Sequence, residues 1–133
     1  MRGGTDMPID GFEAGLKVRR EVLGDEYVDR AFEGVTDFDR EFQEFVTAVA
    51  WGQVWTRDGL SRRDRSLLNL GMLAAAGKTT ELATHIRAGL GNGLTPAEIS
   101  EIIRQVAVYC GAPAALEAMR IAKQVLRDQG IDA

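Results

Sequence analysis

Cysteine and histidine are nearly missing from this chain of 133 residues, which has one of each, Cys110 and His85. A lone cysteine excludes an internal disulfide, a CxxC redox pair and a cysteine-rich zinc site. A transition-metal site would then need carboxylates as most of its ligands, and no spacing of carboxylates suggests one. We therefore expect no metal, and we interpret Cys110 as a small buried side chain.

An excess of positive charge and long apolar runs are also missing. The net charge is −4 and the pI is about 5.0, whereas dedicated nucleic-acid-binding proteins show an excess of Lys and Arg. No stretch of about 18 apolar residues is available to span a membrane. The first residues, MRGGTDMPIDGFEAG, lack the apolar segment of a secretory signal. We expect a cytoplasmic protein that binds neither nucleic acid nor membrane.

The sequence does contain apolar residues at helical spacing along most of its length. This pattern predicts an all-α bundle of six or seven helices in one domain, residues 9–130, after a flexible tail at residues 1–8. Gly77 is a predicted helix stop, and Thr95-Pro96-Ala97-Glu98 is a predicted helix start. Asp37 is the predicted N-cap of the segment DFDREFQEFVTAVAWGQVW.

Two predicted helices carry unusual apolar patterns. In DFDREFQEFVTAVAWGQVW, the side chains of Phe38, Phe42, Phe45 and Val49 fall on one stripe. From Ser66 onward, SLLNLGMLAAAG is apolar almost all round, which is typical of a helix that is buried on several sides.

His85 lies in the helix predicted near residues 80–90, one turn after Glu81. Residues four apart share a helix face, so the Glu81 carboxylate could bond one ring nitrogen, fix the tautomer and favour the imidazolium. The other ring nitrogen would then point into a cavity. The alternative is a surface Glu–His pair on an amphipathic helix, and composition alone leaves both interpretations open.

Four arginines surround one predicted helix start: Arg57, Arg62, Arg63 and Arg65. Cations are unusual there because the dipole of a helix prefers anions at its N-terminus. One interpretation is an anionic ligand held by guanidinium groups and backbone N–H groups. The other is a set of salt bridges to Asp58 and Asp64.

Two tryptophans, Trp51 and Trp55, are four residues apart and so share a helix face. Aromatic side chains at this spacing usually belong to a core or a subunit interface. The alternative is that they form the wall of a substrate pocket.

Several longer segments together resemble the carboxymuconolactone decarboxylase family. They are GLKVRREVLGDEYVDRAF, AVAWGQVWTRDGL, RRDRSLLNLGMLAAAGKTTELATHIRAGLGNGLTPAEI and RQVAVYCGAPAALEAMRIA, and they span roughly residues 10–127. The resemblance implies an all-α, alkylhydroperoxidase-D-like fold that assembles as a homo-oligomer, a hexamer or a trimer. It also implies cofactor-free decarboxylation of γ-carboxymuconolactone to β-ketoadipate enol-lactone in protocatechuate degradation.

The wider superfamily includes peroxidases that carry CxxC followed four residues later by a histidine. His85 matches that histidine, while Lys78 and Glu81 stand at the cysteine positions. Thiol peroxidase chemistry is therefore excluded.

The resemblance gives the site residues their expected roles. His85 is expected to donate a hydrogen bond or a proton to the developing enolate, and Glu81 is expected to orient it. Arg57 and Arg65 are expected to bind the carboxylates of a dicarboxylate lactone. Arg62 and Arg87 are the alternative candidates for carboxylate binding.

Trp51 and Trp55 are expected to wall the site and exclude water. Gln53 is a further candidate for substrate binding, and it departs from the family, which often has an acidic residue there. Two reactions are compatible with Gln53: the same decarboxylation, and a reaction on another lactone or β-keto acid. Two other classes of function stay open: an isomerase or cyclase on the same scaffold, and a non-catalytic oligomeric binding protein.

Overall fold

The computed structural model describes residues 9–132, which form seven α-helices and one π-helix and contain no strand. This confirms the all-α fold class. The helices are α1 (Phe12–Leu23), α2 (Asp25–Glu33), α3 (Arg40–Val46), the π-helix (Thr47–Val54), α4 (Arg62–Ala76), α5 (Thr79–Gly91), α6 (Pro96–Cys110) and α7 (Ala112–Asp128). Among them, none has the length and apolar character of a membrane span.

The chain divides after Gly59 into two compact units. The single domain expected over residues 9–130 stays a prediction, and the tail expected at residues 1–8 lies outside the described residues.

In the first unit, α1 packs along the π-helix with unusually close backbones. A Cβ atom on Gly15 would overlap the carbonyl oxygen of Thr47, and one on Gly52 would overlap the carbonyl group of Gly11. Only glycine leaves room for this approach.

A buried arginine of α1 also holds the junction of α3 and the π-helix. Arg19 is 6% exposed and donates from Nη1 to Oε1 of Gln43 and to Oγ1 of Thr47, each at 3.0 Å. Its guanidinium carbon lies 5.8 Å from the centre of the Phe32 ring, within the range of a cation–π attraction. The start of the π-helix is therefore fixed by side chains as well as by close backbones.

The helix expected after Asp37 begins later than predicted, because Asp39 is the N-cap of α3. Oδ1 of Asp39 accepts a hydrogen bond from the backbone N–H of Thr36 at 2.8 Å. This bond closes a turn over the residues that were expected to start the helix.

The second unit contains α4 to α7 around one apolar core. α4 contacts α5, α6 and α7. The aliphatic residues of this core include four that are at most 4% exposed: Leu70, Ile86, Ile99 and Ile103.

The helix ends of the second unit follow local signals, and those at Gly77 and Thr95 are the predicted ones. Ser61 caps α4 by accepting a hydrogen bond from the N–H of Asp64 at 3.0 Å. Thr95 and Glu98 form a complete capping box at the start of α6. Gly77 ends α4 in the left-handed conformation, with φ 68° and ψ 28°.

The expectation that α4 is buried on several sides is wrong for a single chain. Leu68 and Met72 are 50% and 53% exposed. They line a groove of about 720 Å³ between α4 and α6, because no helix of the second unit covers that side of α4. The phenylalanines of the predicted stripe also face outward: Phe42 and Phe45 of α3 are 62% and 51% exposed, and Phe38, before the start of α3, is 98% exposed.

Cys110 is exposed, which corrects the expectation that it is buried. It is the last residue of α6, and the buried stripe of that helix ends one turn earlier, at Val106.

Candidate active site

His85 lies in the middle of α5, between two buried residues, Thr84 and Ile86, and is itself half-buried. Burial lowers the pKa of His85 from 6.5 to about 4, because removal of water disfavours the charged imidazolium. The ring is therefore neutral near pH 7.

A side chain of α4, Asn69, contacts this ring. Nδ2 of Asn69 lies 3.1 Å from Nδ1 of His85, which is hydrogen-bonding distance. Asn69 was not among the predicted site residues. The sequence does contain a signal that could have identified Asn69, which is the one amide in the apolar run SLLNLGMLAAAG. An amide on an apolar helix face needs a hydrogen-bonding partner when it is buried.

Glu81 does not take the place expected for it at a ring nitrogen of His85. Its side chain is exposed, and Nδ1 is contacted by Asn69. The expectation that a carboxylate would favour the imidazolium is also wrong, because burial lowers the pKa of His85. The physical reason is that α5 turns Glu81 toward solvent while the ring of His85 meets α4. A part for Glu81 in the reaction stays a prediction.

Two predicted arginines share a face of α4 with Asn69. Arg62, Arg65 and Asn69 follow one another at spacings of three and four, and such residues are neighbours on a helix surface. Arg65 is half-buried and Arg62 is exposed. Arg87 is exposed and lies two residues after His85, about 200° away around α5. Arg65 therefore lies one turn before Asn69 on the face of α4 that His85 contacts, while Arg87 lies on another face of α5.

Another arginine of the cluster, Arg63, fits the salt-bridge interpretation. Its guanidinium pairs with the carboxylate of Glu98 on α6 and lies 3.4 Å from that of Asp64. Arg63 thus joins the start of α4 to the start of α6.

A second hydrogen bond joins α4 to the end of α5. Nδ2 of Asn92 donates to Oγ of Ser66 at 2.9 Å, and Ser66 is fully buried. The two asparagines, Asn69 and Asn92, each reach across the interface of α4 and α5. This interface therefore carries specific polar contacts within an apolar packing.

In the first unit, Trp51 and Trp55 share a helix face, as their spacing predicts. The rings of Trp51 and Trp55 stack with centroids 4.9 Å apart and planes at 24°. The backbone N–H of Trp55 donates to the backbone carbonyl of Ala50, five residues earlier, at 3.0 Å, which is the hydrogen-bond pattern of a π-helix. Side chains four apart share a face of a helix, which allows the two rings to stack. Trp51 is buried and Trp55 is half-buried.

Gln53, also on the π-helix, donates from Nε2 to the backbone carbonyl of Asp10 at 2.9 Å. An ionised glutamate in its place could not donate this bond. Gln53 therefore ties the chain before α1 to the π-helix. Arg57 is exposed in the turn that follows the π-helix. Substrate binding by Gln53 and Arg57 stays a prediction.

A neutral histidine that contacts the helix face bearing a half-buried arginine defines a class of site that suits an anionic ligand and a developing negative charge. Residues 40–124 match the model of the family described as "Carboxymuconolactone decarboxylase family". The chain belongs to this family.

The similar proteins include enzymes named as decarboxylases. The chain is 44% identical to 4-carboxymuconolactone decarboxylase of Acinetobacter baylyi over 120 residues, which cover 90% of each chain. It is 45% identical to nitrosuccinic acid decarboxylase npaB of Metarhizium robertsii over 117 residues, covering 88% of this chain and 82% of the relative. A 4-carboxymuconolactone decarboxylase of Pseudomonas putida is 54% identical over 41 residues, covering 31% of this chain and 85% of the relative. The expected class of enzyme, a carboxy-lyase, is confirmed.

Proposed function

We propose that the chain converts γ-carboxymuconolactone into β-ketoadipate enol-lactone and CO2 in protocatechuate degradation, without a cofactor. The observation that carries this proposal is the neutral, half-buried His85 beside the face of α4 that bears Arg65. The similarity to the Acinetobacter baylyi protein supports the choice of substrate.

The substrate supplies its own electron sink in this reaction. When the bond between the ring carbon and the departing carboxylate breaks, its electron pair moves through the conjugated double bond onto the lactone carbonyl oxygen. The products of this step are CO2 and a dienolate, and the dienolate then takes one proton at the carbon alpha to the carbonyl. The protein need only bind carboxylates, stabilise the oxyanion and admit a proton.

His85 is the proposed donor to the oxyanion, and Arg65 the proposed partner of a substrate carboxylate. Loss of a donor that stabilises an oxyanion lowers kcat about 10²–10³-fold. We therefore expect His85→Ala to lower kcat by that factor. We expect Arg65→Ala to raise KM, and the matched variant Arg104→Ala, an exposed arginine of α6, to leave KM unchanged.

Nitrosuccinate is the second candidate substrate, because a relative named nitrosuccinic acid decarboxylase is about equally similar to this chain. Its nitro group provides an equivalent sink: loss of the carboxylate on the carbon that bears the nitro group gives CO2 and a nitronate. Both candidates carry a second carboxylate and place negative charge on oxygen, so one histidine and one arginine suit both.

The test is to give purified protein each substrate separately in D2O and to follow CO2 release and proton NMR. γ-Carboxymuconolactone is generated freshly from 3-carboxymuconate. Fast CO2 release with deuterium at the carbon alpha to the lactone carbonyl supports the first candidate. Faster turnover of nitrosuccinate supports the second. A folded protein that accelerates neither reaction over buffer contradicts both, and leaves an isomerase, a cyclase or a binding protein on this scaffold.

We also propose that the protein works in the cytoplasm as a homo-oligomer, a hexamer or a trimer. Exposed apolar side chains on α3 and along the α4–α6 groove support self-association, because large exposed apolar patches mark interaction sites.

A further inference from the structure

The amide of Asn69 limits which form of His85 the site can hold. With the amide of Asn69 oriented so that Nδ2 lies 3.1 Å from Nδ1 of His85, the amide nitrogen can only donate, and Nδ1 is the acceptor. A neutral imidazole with an unprotonated Nδ1 carries its proton on Nε2. An imidazolium would place two N–H donors against each other, so the contact also disfavours protonation.

Asn69 and His85 belong to two helices, α4 and α5, whose relative position is fixed by other contacts. α4 and α5 pack along each other in the second unit. The hydrogen bond from Asn92 to the buried Ser66 joins the same two helices at another point. The placement of the amide against the ring is therefore set by helix packing, and the contact selects the tautomer.

We propose that Asn69 is a positioning residue that fixes His85 as the Nε2–H tautomer, so that His85 donates a hydrogen bond to the substrate oxyanion and does not deliver the proton to carbon. The catalytic half of this inference rests on the proposed decarboxylation. As the bond to CO2 breaks, charge develops on the lactone oxygen or on a nitro oxygen. The N–H donor stabilises that charge without losing its proton, and the proton that bonds to carbon comes from water.

The tautomer can be read directly because His85 is the single histidine of the chain. In protein labelled with [15N]histidine, two-bond proton–nitrogen correlation at pH 7 distinguishes a protonated from an unprotonated ring nitrogen. We expect Nδ1 to resonate as an unprotonated nitrogen and Nε2 as a protonated one. A protonated Nδ1 in the unaltered protein overturns the proposal, whatever the enzyme's activity.

Three variants separate a positioning role from a merely structural one. Asn69→Leu removes the donor at similar volume, and the two tautomers should then interconvert. Asn69→Asp offers an acceptor, which should move the proton to Nδ1. Asn92→Ala is the matched control, because it removes the other asparagine contact between α4 and α5 and should leave the tautomer unchanged.

Kinetics test the catalytic half. We expect Asn69→Asp, assayed at a pH high enough to keep the ring neutral, to lower kcat by about 10-fold or more with little change in KM, since it moves the proton away from the nitrogen that donates in the transition state. Asn69→Leu should lower kcat about 2-fold, because two interconverting tautomers leave the Nε2–H form roughly half populated. An Asn69→Leu variant that keeps the Nε2–H tautomer and full kcat overturns the proposal. Absence of turnover on both substrates, with the expected tautomer in the unaltered protein, overturns the proposed function and the catalytic half, and leaves the tautomer assignment standing.

Discussion

At the scale of single residues, His85 makes the stability of the protein depend on pH. Its pKa is about 4 in the folded protein and about 6.5 in an unfolded chain. Between these values the unfolded chain binds a proton that the folded protein does not. The contribution of His85 to the free energy of unfolding is therefore fully present above about pH 7. It falls by up to about 3 kcal/mol as the pH drops from about 6.5 to about 4.

Urea unfolding of the unaltered protein and of His85→Gln, at pH 7 and pH 4.5, measures this contribution. Glutamine does not titrate, and the chain has no second histidine, so the contribution of the carboxylates cancels in the comparison. We expect the unaltered protein to lose about 2–3 kcal/mol more than the variant. Equal losses in the two proteins would contradict a buried, neutral His85.

The same residue shows what a sequence can and cannot say about a site. His85 could be singled out because it is the single histidine, and Arg65 because it belongs to a dense cluster of arginines. Asn69 could not be paired with His85 in the same way. The two residues are 16 positions apart, and their contact depends on the register of α4 against α5. Glu81 was favoured because a spacing of four is visible in a sequence, while a contact across helices is not.

At the scale of elements, the π-helix is the feature whose packing is most sensitive to a single methyl group. We expect Gly52→Ala to destabilise the protein by about 1–3 kcal/mol, because the added Cβ overlaps the backbone of Gly11. The matched control is Gly91→Ala at the end of α5, where a Cβ meets no atom within 4 Å. This control should be neutral or slightly stabilising.

Thermal unfolding measures both variants, and near-ultraviolet circular dichroism of the stacked Trp51 and Trp55 reports on the π-helix itself. We expect Gly52→Ala to change the tryptophan signal and Gly91→Ala to preserve it. A Gly52→Ala protein with unaltered stability and signal would show that α1 and the π-helix do not approach as closely as described.

Helix ends such as those at Gly77 and Thr95 could be predicted because capping depends on neighbours in sequence. The π-helix could not, because its extra width accompanies a tertiary contact, the close approach of α1 at Gly15 and Gly52. The turn at Thr36 was missed for a related reason: Asp37 and Asp39 are both good caps, and the sequence does not choose between them.

At the scale of the whole molecule, the apolar face of α4 explains one wrong prediction and indicates where copies of the chain would associate. The pattern of α4 predicts burial on several sides, yet Leu68 and Met72 are exposed in the chain by itself. A second copy that covers the groove between α4 and α6 would reconcile the pattern with the structure. Burial can thus be read from the sequence, whereas the identity of the covering surface cannot.

Self-association is therefore tested in that groove. Met72 lines the groove together with Glu98 and Glu101. Met72→Glu therefore adds a third carboxylate to a surface that must lose water on assembly. Removing water from an unpaired charge is costly. Sedimentation equilibrium should give the unaltered protein a mass several times the 14.5 kDa of one chain, and should give Met72→Glu a smaller mass. Gln129→Glu adds the same charge at an exposed position after α7 and should keep the larger mass. A monomeric unaltered protein contradicts the homo-oligomer. A Met72→Glu protein of undiminished mass shows that the copies meet on another face, and the exposed phenylalanines of α3 are one apolar candidate for it.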